Sequence, residues 1–369
     1  MTQLQPGAAS AATPSSATSR TRKATRTREA TARPGESGAF LDVRNLSVKF
    51  PTDDGLVSAV NGMDFSLERG QTLGIVGESG SGKSVTSQAL MGLLKGTSAQ
   101  VTGQAMFQGK DLVTLPESGM RQLRGRNIGM IFQDPLSALH PFYTVGHQIA
   151  EAYLVHNNAS KKQARAAAVD MLGRVGIPSP EQRFDEYPHH FSGGMRQRAM
   201  IAMALICEPE LLIADEPTTA LDVTVQAQIL DLMAELQQET NSALILITHD
   251  LGVVAEVCDS VLVMYGGQCV ESGPVDEIFY DTRHPYTLGL LKSMPTLNGS
   301  SGKLNPIPGQ PPSLLDLPKG CIFSARCEYA ALAGDGVCAG TRPELVVEDG
   351  HGKRCHLSGP QILTIRNTR

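Results

Sequence analysis

The sequence contains no tryptophan among its 369 residues, and Phe, Tyr and Trp together make up only 5%. Proteins that bind single-stranded nucleic acid use aromatic side chains as stacking platforms, so this scarcity disfavours such a function. The charge distribution has the same implication, because residues 39–369 carry 26 Lys and Arg against 35 Asp and Glu. Binding to a polyanion needs a basic surface, and we therefore expect no nucleic acid among the partners.

Long hydrophobic runs are also missing. No stretch approaches the roughly 18–20 uninterrupted apolar residues that a membrane-spanning helix needs. The longest candidate, Ala199–Cys207, stops at Glu208 and Pro209. No apolar segment near Met1 resembles a secretory signal peptide. We therefore expect a cytosolic chain that reaches a membrane only through its partners.

Large apolar side chains are scarce in residues 1–38, which consist mainly of Ala, Ser, Thr and Arg. Such a segment cannot bury enough surface to offset the conformational entropy lost on ordering. We predict a disordered N-terminal tail over residues 1–38, followed by a folded body from residue 39.

Strands and helices alternate through residues 39–294, which predicts an α/β domain with a parallel sheet covered on both faces. Apolar residues near period two from Phe40 to Leu67 predict an additional, partly exposed sheet. Ala164, Ala168 and Leu172 fall at helical spacing and indicate a helical insert at about 134–190. The predicted buried strands are Thr72–Val76, Ile128–Phe132, Leu211–Ala214, Ala243–Ile247 and Val261–Met264.

A phosphate-binding loop follows the first of these strands. The run Gly77-Glu78-Ser79-Gly80-Ser81-Gly82-Lys83-Ser84 fits G-x-x-x-x-G-K-[ST] and precedes a predicted helix from Lys83 to Leu94. The glycines let backbone N–H groups turn toward phosphate oxygens, and the helix N-terminus adds partial positive charge. Lys83 is expected to reach the β- and γ-phosphates of ATP, and the Ser84 hydroxyl is expected to bind Mg²⁺.

Two carboxylates emerge at the end of the strand Leu211–Ala214. In α/β folds, ligands bind at the carboxyl ends of parallel strands, so Asp215 and Glu216 should face the same site as the loop. We expect Asp215 to hold Mg²⁺ and Glu216 to orient and polarise the attacking water. Two carboxylates at the end of a strand are a weak signal alone, because acidic residues often end strands. Together with the phosphate-binding loop they predict an ATPase.

The run Phe191-Ser192-Gly193-Gly194-Met195-Arg196-Gln197-Arg198 resembles the signature motif of ABC ATPases. Ser192 suits a helix N-cap, and the apolar run after it suits a helix whose positive end faces phosphate. The commonest signature has Leu and Gln in place of Phe191 and Met195, but the small residues Ser192, Gly193 and Gly194 are intact. The resemblance implies an ABC-type P-loop NTPase with a RecA-like parallel core sheet, an antiparallel β subdomain and a helical insert. It also implies that the signature completes the ATP site of an opposing subunit.

The same resemblance assigns roles to further positions. Gln133 matches the glutamine that joins Mg²⁺ to the helical insert. Ala220-Leu221-Asp222 matches the D-loop, and His249 matches the switch histidine that contacts the γ-phosphate. Phe50, which lies 27 positions before Gly77, is the candidate for the aromatic side chain that stacks on adenine.

Several stretches are similar to the ATPase subunits of oligopeptide and dipeptide importers: Ile131–Pro135, Phe191–Arg198, Ala214–Gln226 and His284-Pro285-Tyr286-Thr287. The resemblance spans residues 40–357. It implies two transmembrane permeases that contact the helical insert and a second, different ATPase chain. It also implies an extracytoplasmic peptide-binding protein and a position at the cytoplasmic face of the inner membrane. Nickel importers share nearly the same cassette, and a soluble ABC ATPase of translation or DNA repair is the alternative from another class.

Four cysteines lie in the predicted C-terminal domain, residues 295–369: Cys321, Cys327, Cys338 and Cys355. Their spacing lacks the C-x2-C pairs typical of structural zinc, and disulfides are disfavoured in a reducing cytosol. Four thiolates from an irregular segment can hold a [4Fe–4S] cluster. The resemblance also implies one, because some members of the family carry such a cluster. We expect such a cluster, with zinc or free thiols as the alternatives.

Overall fold

The computed structural model describes residues 39–219, 221–294 and 306–367, with Leu136 and Ser137 described by their backbone alone. The predicted disordered tail, the predicted domain boundary at residue 295 and Ala220 of the D-loop lie outside these ranges.

The strands of the described residues form two sheets. In chain order they are β1 Leu41–Thr52, β2 Gly55–Leu67, β3 Thr72–Val76, β4 Gln100–Phe107, β5 Lys110–Asp111, β6 Ile128–Ile131, β7 Leu211–Asp215, β8 Ala243–Ile247, β9 Ser260–Tyr265, β10 Gln268–Pro274, β11 Val346–Glu348 and β12 His351–Lys353.

The α-helices lie mainly between the strands. They are α1 Lys83–Leu90, α2 Glu117–Leu123, α3 Pro135–Ala138, α4 Val145–His156, α5 Lys161–Arg174, α6 Pro180–Phe184, α7 Gly193–Leu205, α8 Val223–Thr240, α9 Leu251–Val257, α10 Val275–Tyr280, α11 Pro285–Lys292, α12 Val337–Gly340 and α13 Gly359–Asn367. No helix in the ranges given above is both long enough and apolar enough to cross a membrane.

The larger sheet has the strand order β11-β12-β10-β9-β3-β8-β7-β6. Its centre is parallel, since β3 pairs in parallel with β8 and β9, and β7 with β6 and β8. Every residue of β3, β6, β7 and β8 is buried. Continuous apolar runs are what a strand covered on both faces requires, so the parallel core expected from the sequence is confirmed.

The smaller sheet has the order β2-β1-β4-β5 and is antiparallel throughout. Its inward side chains, among them Leu46, Val60 and Phe107, share one hydrophobic core with Ile75 and Ile213 of the larger sheet. Ala89 and Leu90 of α1, the helix that follows the phosphate-binding loop, belong to the same core. The mixed α/β architecture expected from the sequence is therefore present.

Helices occupy the chain between β6 and β7. Thr144 caps α4 by accepting the His147 N–H, and Ser160 caps α5 through a reciprocal pair with Gln163. The buried faces of α4, α5 and α7 pack together around residues such as Leu172. The insert is thus joined to β6 and β7, the two strands that carry catalytic candidates at their carboxyl ends.

The C-terminal segment extends the larger sheet. β12 pairs antiparallel with β10, and β11 pairs with β12. His351 on β12 is buried, and its ring nitrogens lie 2.8 Å from a Glu271 carboxylate oxygen and 2.9 Å from one of Glu277. Leu357 and Ile362 form a small core with Leu288 of α11. The last strands of the chain therefore complete the sheet that begins with β3.

Candidate active site

The phosphate-binding loop connects β3 to α1, as the sequence predicts. Gly77 has φ 152° and Gly82 has φ 101°, conformations that side chains other than glycine rarely adopt. A Cβ atom on Gly77 would lie 2.2 Å from the Met264 carbonyl oxygen, and one on Gly82 would lie 2.3 Å from the Ala59 carbonyl oxygen. Glycine is therefore required at both positions by the backbone that surrounds the loop.

Lys83 points its ammonium group back into the loop. Its Nζ donates to the carbonyl oxygens of Gly77 at 2.7 Å and Glu78 at 3.0 Å. Burial lowers the pKa of Lys83, and the charges of Glu216 and Asp215 act in the opposite direction. The buried Ser81 Oγ has no hydrogen-bond partner among the described residues. A cation and an unpartnered hydroxyl inside a loop rich in glycine and serine fit the phosphates of a nucleotide.

Ser84 and Asp215 meet at the start of α1 and the end of β7. The Ser84 hydroxyl donates to Asp215 Oδ1 at 3.1 Å, and Asp215 is only 4% exposed. Burial raises the pKa of Asp215, while the Ser84 hydrogen bond lowers it. A hydroxyl and a carboxylate beside a phosphate site are oxygen ligands of the kind Mg²⁺ prefers. The pair therefore fits Mg²⁺ bound together with nucleotide phosphates.

Glu216 is the centre of the proposed hydrolytic machinery. Its Oε2 accepts hydrogen bonds from Gln133 Nε2 at 3.1 Å and from the Thr219 hydroxyl at 3.0 Å, and it lies 3.5 Å from His249 Nδ1. Its backbone has φ 48°, in the left-handed region. Strain at a non-glycine residue is typical of functional sites. The structure thus brings together Gln133, Glu216 and His249, which are widely separated in the sequence.

Thr219 was not a candidate from the sequence. It lies three residues after Glu216, and the turn that brings it back is held by a Thr219 N–H bond to the Glu216 carbonyl at 3.4 Å. The available signal was the run Glu-Pro-Thr-Thr, in which proline favours a turn directly after the carboxylate. Such a turn lets a hydroxyl three positions later reach the Glu216 side chain.

The signature residues lie at the start of α7. Ser192 caps the helix, its Oγ accepting the Met195 N–H at 3.3 Å, as expected for this position. Ser192 and Gly193 are exposed, and a Cβ atom on Gly193 would meet nothing within 4 Å. No contact within the described residues requires a glycine at position 193. The open space above Gly193 is therefore available to a group from outside the chain.

Asp222 and Phe50 have local roles that the sequence did not indicate. Asp222 caps α8 by accepting the Val225 N–H at 3.0 Å. Phe50 is half-buried in β1 opposite Val57 of β2. Their contacts with nucleotide or with an opposing subunit remain predictions.

The His284-Pro285-Tyr286-Thr287 run reaches the phosphate-binding loop. The Tyr286 hydroxyl accepts the Glu78 N–H at 2.9 Å, and His284 Nδ1 accepts the Tyr286 N–H at 3.1 Å. Burial lowers the pKa of His284 to about 3, so the ring is neutral and can act as this acceptor. The run thus contributes a structural support for the second residue of the loop.

The four tail cysteines line one cavity together with His284 and Phe323. All four are free thiols, and burial raises the pKa of Cys327 to about 11 and of Cys355 to about 12. In the part of the chain that the structure describes, no group of three or more His, Cys, Asp or Glu side chains is arranged to hold a metal ion. These residues therefore show no arranged site for the expected [4Fe–4S] cluster or its zinc alternative, although the structure brings the four thiols to one cavity.

Two family models match the chain. Residues 60–219 match the ABC transporter family, and residues 270–332 match the family described as "Oligopeptide/dipeptide transporter, C-terminal region". The first match covers the phosphate-binding loop, the signature and Glu216. The second begins in β10 and includes Tyr286 and Cys327.

Curated relatives match over most of the chain. The oligopeptide transport ATP-binding protein OppD of Haemophilus influenzae is 56% identical over 291 residues, covering 79% of this chain and 90% of its own length. The dipeptide transport ATP-binding protein DppD of Bacillus subtilis is 55% identical over 318 residues, covering 86% and 94%. OppD of Salmonella typhimurium is 51% identical over 334 residues, covering 90% and 98%.

Solved structures agree in fold. A post-hydrolysis dimer of the ATP-binding cassette MJ0796 with ADP and Pi has a TM-score of 0.59 at 23% identity, covering 64% of this chain and 98% of its own. The protein cbiO1 of Clostridium perfringens, part of the transporter complex cbiONQ, has a TM-score of 0.55 at 31% identity, covering 66% and 92%. With its loop, carboxylates and signature in the arrangement described above, the chain belongs to the family of ATP-binding subunits of oligopeptide and dipeptide ABC importers.

Proposed function

We propose that this chain hydrolyses ATP to drive the import of short peptides across the cytoplasmic membrane. The observation that carries the hydrolytic part is the convergence of Gln133, Thr219 and His249 on the carboxylate of Glu216. This carboxylate follows directly after Asp215, which is bonded to Ser84 of the phosphate-binding loop. The proximity of these residues supports Glu216 as the proton acceptor beside the terminal phosphates.

In this mechanism Lys83 and the loop N–H groups of residues 79–84 bind the phosphates. Ser84, Asp215 and Gln133 would hold Mg²⁺, which when bound would supply positive charge to the phosphate oxygens. Glu216 orients a water molecule and accepts its proton, while His249 donates a hydrogen bond to the γ-phosphate. Phe50 stacks on adenine.

A second cassette completes each site. Ser192, Gly193 and Gly194 at the N-terminus of α7 are proposed to contact the ATP of the opposing subunit, with Asp222 at the subunit boundary. The exposure of Ser192 and Gly193 and the open space around Gly193 support this arrangement. The partner is proposed to be a different, homologous ATPase chain, as the family resemblance implies.

Two transmembrane permeases are proposed to dock on the helical insert. A groove of about 360 Å³ there is lined by Tyr143, Val155 and Met203, among others. Phe142 beside it is 81% exposed, and Val155 is 70% exposed. Exposed apolar side chains next to a groove are typical of a protein interface. Docking would place the chain at the cytoplasmic face of the membrane, with an extracytoplasmic peptide-binding protein reached through the complex.

Permease docking can be tested with two matched substitutions. Phe142→Ser is expected to weaken permease binding by about thirtyfold or more, since losing an aromatic anchor that is buried in a complex commonly costs about 2 kcal/mol or more. Tyr280→Ser is the control, because Tyr280 is 80% exposed but lies on α10. Equal recovery of permeases with both variants would argue against this docking surface.

The substrate is tested on the complex purified from gently solubilised membranes. We expect two permeases, a second ATPase and a binding protein, with ATP turnover stimulated by dipeptides or oligopeptides. Stimulation by Ni²⁺ and not by peptides would identify a nickel importer. Recovery of only soluble partners, with ATP turnover unchanged by peptides or Ni²⁺, would support the ATPase activity and argue against a role in transport.

The cavity lined by Cys321, Cys327, Cys338 and Cys355 is proposed to bind a [4Fe–4S] cluster. Convergence of four free thiols supports this, and the absence of a ligand-ready arrangement in the described residues opposes it. Iron and acid-labile sulfide at about four atoms each per chain, after purification without oxygen, is the expected result. One zinc ion per chain would favour the zinc alternative, and a metal-free protein would leave four structural thiols.

A further inference from the structure

Arg326 of the C-terminal segment contacts the phosphate-binding loop. Its two terminal nitrogens donate to the two carboxylate oxygens of Glu78 at 2.7 and 3.0 Å. Its Nε donates to the Pro308 carbonyl at 2.8 Å, and the guanidinium also bonds the Ile307 carbonyl and the Tyr265 hydroxyl. The Arg326 side chain is only 5% exposed. The guanidinium is therefore held in one orientation with the Glu78 carboxylate as its single charged partner among these contacts.

Glu78 is the second residue of the phosphate-binding loop, and its backbone is bonded on both sides. Its N–H donates to the Tyr286 hydroxyl, and its carbonyl accepts from Lys83 Nζ at 3.0 Å and from the Ser81 N–H at 3.2 Å. The residue that Arg326 holds by its side chain is thus one that positions the phosphate-binding lysine.

Charge makes this contact consequential for nucleotide binding. The Glu78 carboxylate belongs to a residue whose carbonyl oxygen lies 3.0 Å from Lys83 Nζ, so the two charges are close together. Without Arg326, that carboxylate would be an unpaired anion at the edge of a site for a triphosphate. It could turn toward Lys83 and compete with the phosphates for the same ammonium group. The bidentate ion pair neutralises the Glu78 carboxylate, so no unpaired anion lies at the edge of the site. It also fixes the direction of that carboxylate, which therefore cannot turn toward Lys83.

We propose that Arg326 is a positioning residue for ATP binding, which holds the Glu78 carboxylate away from Lys83 and so keeps the loop open to phosphates. The proposal rests on the nucleotide site described above. It gives the C-terminal segment a direct part in nucleotide affinity, because Arg326 belongs to that segment. Arg326 directly precedes Cys327, and Phe323 nearby packs on Tyr286.

The test measures MgATP affinity of the full-length chain by equilibrium binding, with four variants. Arg326→Gln is expected to weaken binding by about tenfold or more, as for other charge-assisted contacts left unpaired. Glu78→Gln should weaken binding less than Arg326→Gln does, because no anion is released. The double variant, Arg326→Gln with Glu78→Gln, should recover most of the lost affinity. Arg326→Lys should be intermediate, since lysine keeps the charge but not the bidentate geometry.

Controls separate this proposal from simpler effects. Arg366→Gln breaks another ion pair of the C-terminal segment, with Asp281, and should leave ATP affinity unchanged. Lys83→Ala should abolish ATP binding in the wild type and in each of the four variants. ATP binding that survives Lys83→Ala would contradict the nucleotide site itself. An Arg326→Gln variant that binds ATP normally, or a double variant as weak as Arg326→Gln, would overturn the positioning role.

A second measurement covers the case in which Arg326→Gln does not fold. Glu78→Gln keeps the Arg326 side chain and removes only the ion pair. Amide hydrogen exchange of the segment containing Arg326 should then rise by about threefold or more, since the charged contact that holds it is lost. Saturating MgATP is expected to bind Lys83, whose Nζ contacts the Glu78 carbonyl oxygen. It should therefore slow amide exchange of the same segment in the wild type. Exchange that responds to neither would refute the coupling.

Discussion

Replacing Glu216 with glutamine should separate ATP binding from hydrolysis. Glutamine has the size of glutamate, and its amide oxygen can accept the hydrogen bonds from Thr219 and Gln133 that Glu216 accepts at 3.0 and 3.1 Å. It also meets the same backbone requirement at φ 48°. The substitution therefore removes a proton acceptor and a negative charge with little other change.

The expected loss of turnover is about 10²–10⁴-fold, the usual contribution of a positioned general base. This corresponds to about 3–5 kcal/mol of transition-state stabilisation. Binding should not weaken, because Lys83 and Ser84 are untouched. Burial lowers the pKa of Lys83 and the Glu216 carboxylate acts in the opposite direction, so removing Glu216 takes an anion away from the site of the phosphates. We expect MgATP affinity equal to the wild type or tighter.

The assay is phosphate release at saturating MgATP in the purified complex, with affinity measured separately. Glu210→Gln is the matched control, because Glu210 precedes β7 and Glu216 follows it. Glu210 accepts hydrogen bonds from Arg69, Gln108 and Asn127, so its loss should lower stability and leave turnover nearly unchanged. Turnover of the Glu216 variant within about tenfold of the wild type would refute the assignment of the base.

Three further outcomes are expected. Gly82→Ala should abolish ATP binding, because its Cβ would lie 2.3 Å from the Ala59 carbonyl oxygen and φ is 101°. Gly193→Ala should leave the stability and ATP affinity of the isolated chain unchanged but lower turnover in the complex, where the space near Gly193 is expected to be filled. His284→Asn should flatten the acid dependence of stability, because burial lowers the pKa of His284 to about 3 against about 6.5 unfolded. The unfolded chain binds the extra proton, so the wild type should lose about 2 kcal/mol between pH 7 and pH 5, and asparagine can still accept the Tyr286 N–H.

Each of these expectations has a contrary result. Normal nucleotide binding by the Gly82 variant would mean that the loop relaxes around a new methyl group. A Gly193 variant with full turnover in the complex would argue against its contact with an opposing ATP. Thermal unfolding of the His284 variant with the acid dependence of the wild type would place the titrating group elsewhere.

The core sheet could be predicted from the sequence because its strands are buried on both faces. Thr72–Val76 and Ala243–Ile247 were expected as strands and are strands with the same bounds. The helix expected from Lys83 to Leu94 ends at Leu90, since Gly92 takes φ 64° and reverses the chain. Local apolar patterning therefore fixes an element well and its end less well.

The site could be predicted in part, for a different reason. Glu216 and Lys83 belong to motifs whose chemistry is readable without contacts. Thr219 depends on the turn after Glu216, and Arg326 reaches Glu78 across 248 positions of sequence. No periodicity or motif encodes such a distant pair. Four cysteines in an irregular segment predict a metal centre; in the described residues they line one cavity without forming an arranged metal site.

The pairing of β12 with β10 has a consequence for how the chain is made. Synthesis runs from the N-terminus, so β10 emerges long before β12 and exposes an unpaired edge of the larger sheet. During that interval Glu271, fully buried in the finished fold, lacks the His351 partner that later lies 2.8 Å away. Nascent chains that meet at this stage can pair edge to edge. A cassette shortened before residue 346 would stay permanently in that aggregation-prone state, however intact its ATP site.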